Sequence, residues 1–562
     1  MSLEFEKKEY EERLRYRLKI LSEKLSEGKV KFASHLVEDF KESMRKIRYD
    51  KNGEIILDSV DGRIRSMALG IEQIDTRDKL KKQISLFEIQ NLYFELIEQN
   101  FGQFYEKMNE LRENPHNIAD FLSRKEDFVD GMVEQIPSFM EAILEFWRNV
   151  GDVGYWHLED SFDNITGVFG GDLFPTHDEN IASKCGIYTD TIVLPDPYVR
   201  SIHVFKHYPK ESKVYFLIKH ALNLLKYKKL ACTDAGNPAV VILPDLSNLE
   251  ENGRDFIYEF SQQDALIHGS KIFGRKFENI DEFDEFCLSL NTVEKTIKAI
   301  KNKERVLFDS EWKDSLDIQI KRALKSNEMK AYGRTEPGLL FRMQTVGRMT
   351  VTNELLLKAR QLSGTPIIEA ATSWQFFNWK LEYDAEQAQK YYGSENLHIT
   401  KGLTDLSKTD LPWLGNIPPE SLLELRKQGA LEEIRNILGH EIKELIKTNP
   451  TNCSRTRDQI LQNIEQSFDR HRKKLDELKA KNWKFAGKDI GSWVVTGTLG
   501  IGAALTGEAT WGLGAWIANE VMDAPKLREI PQRFRDLVDQ NKQVKQSPVG
   551  MLFKACLLYT SD

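Results

Sequence analysis

The sequence predicts a mainly α protein with a small α/β (or α+β) middle domain, and three observations carry that expectation. Apolar residues recur at three- and four-residue steps through the first 150 residues, the spacing that puts them on one helix face. Two continuous apolar runs follow, TIVLPDP at Thr191–Pro197 and VVILPDL at Val240–Leu246, with helical patterns between them. Uninterrupted apolar strands separated by helices are the pattern of a parallel sheet covered on both faces. Beyond Leu411 the chain turns helical again and leads into a glycine-rich hydrophobic stretch.

The first domain, residues 1–150, opens with Leu14, Leu18, Leu21 and Leu25 at 4-3-4 spacing, a short coiled-coil-like stripe that Gly28 closes. Helices are expected in LVEDFKESMRKI, in DKLKKQISLFEIQNLYFELIEQNFGQFYEKMNEL and in FVDGMVEQIPSFMEAILEFWRNV. At Gly151 the texture changes: GDVGYWHLEDSFDNITGVFGGDLFPTHDEN is rich in Gly, Asp and aromatics and reads as a long structured loop opening the middle domain, residues 151–410. There the two Leu-Pro-Asp runs and a third, TPIIEAATS from Thr365, are the expected strands. SKVYFLIKHALNLLKYKKLA and FDEFCLSLNTVEKTIKAIKNKE are the expected helices, and HVFKHYP at 203–209 reads as loop or strand.

Residues 411–486 read as a helical pair. Pro418 and Pro419 start one helix through ESLLELRKQGALEEIRNILGHEIKELI, and Asn449-Pro450 ends it. A second carries Leu461, Ile464, Phe468, His471, Leu475 and Leu478 at 3-4-3-4-3 spacing. The glycine-rich stretch occupies residues 487–525, a basic amphipathic tail follows at 526–555, and CLLYTSD at 556–562 resembles translated adapter bases and is expected to be non-native.

Within that stretch, the 30 residues Ile490 to Asn519 hold one charge, Glu508, and seven glycines: Gly491, Gly497, Gly500, Gly502, Gly507, Gly512 and Gly514. Ile490–Thr506 would span about 25 Å as a helix, short of a hydrocarbon core of about 30 Å. A helical hairpin turning near Gly507-Glu508 suits it better, with small residues letting the halves approach and basic residues on both flanks keeping both ends on one side. The stretch resembles the hydrophobic hairpins of pore-forming toxins, which implies membrane association; the competing expectation is close packing against protein.

Composition limits the function classes. Charged residues make up 30%, apolar residues 41%, and the net charge is -8, which argues against a nucleic-acid partner. Five scattered cysteines without a CxxC pair suit a reducing cytosol, and the N-terminus lacks the apolar segment of a signal peptide. No GxxxxGK[ST], HExxH or GxSxG is present. Arg435 to His440 fits the R-x4-to-6-H pattern of HEPN-type ribonucleases, but five helical residues put the two side chains about 140° apart.

The catalytic candidates are strand-end carboxylates, because ligands of open α/β sheets bind beyond the carboxyl ends of the strands. Asp196 and Asp245 end the two Leu-Pro-Asp runs, Glu369 ends the third, and His177 lies in the glycine-rich approach. Together they would serve as an acid/base set or hold a divalent cation; as turn and cap residues they would serve structure alone. The expectation is a bacterial-type cytosolic interaction or effector protein, peripheral to the inner membrane if the stretch meets lipid and suited to defence or toxicity. It would act through a protein partner or self-association and need no cofactor. A hydrolase or nuclease using the four candidates, with a divalent cation, is the alternative.

Overall fold

The computed structural model describes residues 3–30, 37–161, 164–178, 180–233, 237–249, 251–326, 329–330, 333–392, 410–438, 472–481 and 483–498. The chain divides into two compact units at Leu86/Phe87. In the first, α1 (Leu3–Ser26), α2 (Val37–Arg45) and α3 (Gly62–Gln83) share one core. The leucine stripe forms as its spacing dictates: Leu14, Leu18 and Leu21 are buried against Ile64 and Ala68. A buried ion pair joins the two longer helices, Arg17 Nε to Glu72 Oε2 at 2.7 Å.

The second unit begins with α4 (Leu86–Leu111), α5 (Pro115–Ser123), α6 (Glu126–Val133) and α7 (Ile136–Glu159). Helix α7 runs straight through Gly151, so the change in composition there is not a helix end. Gly154 brings α7 against the sheet: a Cβ at that position would lie 2.6 Å from Leu243 Cδ2.

Next come β1 (Thr166–Phe169), α8 (Ile181–Cys185), β2 (Thr191–Pro195), α9 (Pro197–Arg200), α10 (Ile202–His207), α11 (Lys210–Leu225), α12 (Lys228–Ala231) and β3 (Val240–Leu243). After α13 (Glu251–Phe273), α14 (Ile280–Ser289), α15 (Val293–Ala299), α16 (Leu316–Ala323) and α17 (Pro337–Gln361), strand β4 (Thr365–Ile367) precedes α18 (Ala371–Tyr392). The four strands form one all-parallel sheet in the order β3-β2-β1-β4. Strands β1 to β3 are buried along their whole length, as continuous apolar runs require. The mainly α architecture with a small α/β middle portion is therefore the observed fold. Strand β1 emerges inside the run expected to be loop; TGVF is too short and glycine-diluted to announce itself. Residues 202–207, expected as loop or strand, are helix α10, ended before Pro209.

One edge of the sheet is closed by a side chain. The Gln90 carboxamide donates to the Ile242 carbonyl at 3.0 Å and accepts from the Ile242 amide at 2.8 Å. It thus supplies the two bonds that a further strand would make to edge strand β3.

Beyond α18, β5 (Asp410–Leu414) leads to α19 (Pro419–Lys427) and α20 (Ala430–Leu438). The helix expected to be continuous here breaks at Gly429, whose φ of +69° is left-handed. Two short strands, β6 (Lys484–Phe485) and β7 (Lys488–Asp489), precede a 3-10 turn at Ile490–Trp493 and β8 (Val494–Thr498), which pairs antiparallel with β5. The start of the glycine-rich stretch is therefore strand rather than helix, because β-branched Val494, Val495, Thr496 and Thr498 meet a partner strand about eighty residues earlier in the chain. The expected hairpin beyond it, with Gly500, Gly502, Gly507, Glu508, Gly512 and Gly514, lies outside the described residues, as does His440. Among the described residues no helix is long and apolar enough to cross a membrane.

Candidate functional site

In the order β3-β2-β1-β4 the chain steps outward from β1 to β3 and then returns to place β4 on the other side of β1. That reversal makes the carboxyl ends of β1 and β4 the topological switch point, where open α/β sheets bind ligands. Strand β1 ends there in Gly170-Gly171-Asp172. Gly170 lets α17 close over the strand, since a Cβ would sit 2.7 Å from Leu355 Cδ1, and Gly171 turns the chain at φ +80°. Ser373 of α18 holds the turn by donating to the Gly171 carbonyl at 2.7 Å.

The candidates read from the sequence all lie at this edge, but they do not meet at one point. Asp196 is wholly buried. Its Oδ1 accepts from the amides of Tyr198 (2.7 Å) and Val199 (2.9 Å), capping α9, and its Oδ2 accepts from the Trp147 indole. Burial pushes its carboxyl up, and these donors oppose the rise.

Asp245 belongs to a buried charge cluster. Its Oδ2 lies 3.0 Å from Arg200 Nε and its Oδ1 3.2 Å from Lys358 Nζ, which also donates to the Leu243 carbonyl. Glu354 joins through Arg200 Nη2 at 3.6 Å and accepts from Asn248 Nδ2 at 3.3 Å. Arg200 reaches the switch point itself by donating to the Asp172 carbonyl. Burial raises Asp245, but Arg200 and Lys358 outweigh it and hold the carboxyl below its ordinary value. Glu354 goes the other way: burial first, and then the Asp245 charge, push it up to about 7. Two cations thus face one firmly ionised carboxylate and one poised between its two forms.

Glu369, at the end of β4, accepts from the Thr176 amide (2.7 Å) and from Lys184 Nζ (2.7 Å), with both ionic side chains buried. It therefore clamps the loop after β1 and helix α8 to the switch point. His177 follows Thr176, so the structure does bring it near Glu369. Its Nε2 lies 3.2 Å from Asp178 Oδ1, its ring stacks on His116 at 5.5 Å, and burial pushes it down to about 4. Among the described residues no three His, Cys, Asp or Glu side chains are grouped to hold a metal ion. His203 and His207, four apart on α10, are both exposed.

Sequence reasoning missed Arg200, Glu354, Lys358 and Lys184. Arg200 had a signal: it ends the single helical turn that Asp196 starts. Glu354 and Lys358 lie one turn apart on α17 and look like an ordinary solvated pair until the fold buries them.

Helix α8 and the turn that follows it make a second set of bonds. The Ser183 carbonyl accepts from the Ile417 amide at 3.0 Å, and the Tyr188 hydroxyl accepts from the Leu414 amide at 2.7 Å. The β5–β8 pair is thereby tied to the turn after the short helix that Lys184 ties to Glu369, and the segment after β5 to the helix itself. No protein family, curated protein or solved structure matches this chain.

Proposed function

We propose that this chain is a non-catalytic interaction or effector protein, bacterial-type and cytoplasmic. Its parallel-sheet body holds the base of the glycine-rich stretch and presents the remainder to a protein partner, to a second copy of itself or to a membrane surface. What supports the reading is the double attachment of α8 and the turn after it: Lys184 grips the switch point through Glu369, while Ser183 and Tyr188 anchor the end of β5 and hence β8. The strand-end carboxylates fit the same reading, since Asp196, Asp245 and Glu369 each spend their oxygens on internal partners. The test is flotation with anionic phospholipid vesicles, alongside sedimentation for self-association, on the full chain and on a chain lacking Gly500–Asn519. The full chain is expected to float or to self-associate and the deletion to do neither. Equal behaviour of the two proteins overturns the proposal.

One observation favours the enzymatic alternative. Glu354, at about 7 in a buried cluster at the strand ends, has the value a general base needs at neutral pH. A hydrolase or nuclease built on it, with Asp245 and Arg200 beside it and a divalent cation supplied, would lose turnover in Glu354→Gln while remaining folded. Assays on phosphodiester and carboxyl-ester substrates with magnesium, comparing the wild type and that variant, decide the point.

A further inference from the structure

Beside the switch point lies an arrangement that neither reading uses. Helix α11 carries Tyr215 and Lys219 one turn apart, and Lys226 caps its end a further two turns on, so the three share one stripe. The loop that follows β1, with Asp172, His177 and Asp178, runs beside this stripe: Lys226 Nζ donates to the His177 carbonyl. The His116 ring, from α5, stacks on His177 and bonds the Tyr215 hydroxyl at 2.7 Å through Nδ1.

The odd member is Lys219. The residue is half-buried, yet among the described residues its ammonium has neither a hydrogen bond nor an ion pair, and its one specific contact is the Tyr215 ring, 5.5 Å from Nζ to the centroid. Asp172 and Asp178 are near enough for their charges to favour its protonated form, but neither forms an ion pair with it. Asp172 Oδ1 accepts from the Leu173 amide at 2.8 Å, and Asp178 Oδ1 lies 3.2 Å from His177 Nε2. Lys226 has used a single donor. A partly desolvated ammonium that no acceptor touches is costly in a folded protein, and a bound anion in direct contact would relieve that cost. Burial lowers the affinity of both lysines for their protons, which records the same unmet cost.

We infer that the stripe Tyr215–Lys219–Lys226 and the loop after β1 form a binding crevice for a phosphate-bearing small molecule, with Lys219 as the charge that meets the phosphate. Lys226 supplies its remaining N–H donors to the same oxyanion, and the stacked His116 and His177 rings wall the crevice. Its position beyond the carboxyl end of β1 is where a parallel sheet of this order takes a ligand. The inference is independent of what the glycine-rich stretch contacts.

The test is calorimetric titration and thermal unfolding of the full chain with inorganic phosphate, ribose 5-phosphate and adenosine 5′-monophosphate, at constant ionic strength in chloride. At least one probe is expected to bind and to raise the unfolding temperature. Lys219→Met should weaken that binding about tenfold or more, and Lys219→Arg should retain most of it, as the loss or retention of a charge-assisted hydrogen bond requires. Without any probe, Lys219→Met should unfold at a higher temperature than the wild type, because it removes a partly desolvated ammonium that makes no ion pair; this also shows that the variant folds. Tighter binding of the monophosphate nucleotide than of inorganic phosphate identifies a nucleotide as the source, and equal binding identifies the phosphate group alone. No binding of any probe at millimolar concentration, or equal binding by Lys219→Met, overturns the inference.

Discussion

At the scale of single residues, two side chains decide more than their neighbours. Gln90 is buried with both amide functions committed to the Ile242 backbone, so Gln90→Ala would leave a buried donor and a buried acceptor unpaired. A loss of about 2–4 kcal/mol is expected, read as a lower urea midpoint at unchanged slope. Glu354 makes stability depend on pH. Its folded value of about 7 lies above its ordinary 4.5, so between these pH values the native state holds a proton that the unfolded chain has released. Its stabilising contribution is complete below about 4.5 and is lost as pH rises through about 7. Glu354→Gln should remove that decline, and unfolding temperatures measured from pH 5 to pH 8 should converge at the acid end and favour the variant at the basic end. Asp196 shows how far the sequence speaks at this scale. Its place after a strand and before Pro197 announces a cap, and the structure makes it one; the bond from Trp147, 49 positions earlier, is invisible in the local pattern.

At the scale of elements, close approach is the recurring device. Gly170→Ala would put a Cβ within 2.9 Å of Leu355 Cβ, which cannot swing away, and α17 would have to lift off β1. A cost of about 1–3 kcal/mol is expected, measured by urea unfolding, with larger residues worse. Elements with a strong local signal were legible: the two Leu-Pro-Asp strands, the TPII strand, the leucine stripe of α1 and the proline start of α19. Elements stabilised by a distant partner were not. Strand β1 has four residues and gains its stability by pairing with β2 and β4 on either side. Strand β8 looks like the start of a hydrophobic helix until Asp410–Leu414 lies beside it.

At the scale of the molecule, α8 and the turn after it join the sheet's switch point to the β5–β8 pair, and their bonds are few enough to test one at a time. Tyr188→Phe deletes the acceptor for the Leu414 amide at a local cost of about 1 kcal/mol. Faster amide hydrogen exchange is expected across 410–414 and 494–498, with exchange in β2 unchanged; uniform change throughout would mean that the two parts do not open separately.

The sequence by itself determined the fold class, the strand ends and the contrast between a charged helical body and one glycine-rich run, because periodicity and composition act over a few neighbouring residues. It also placed Asp196, Asp245 and Glu369 just beyond the carboxyl ends of their strands. Which charges became buried partners, and that Lys219 was left without an ion pair among the described residues, only the tertiary structure decided. Arg200, Asp245, Glu354 and Lys358 come from three separate stretches of chain, and a charge reveals its cost only when folding withdraws water and either supplies a counter-charge or fails to.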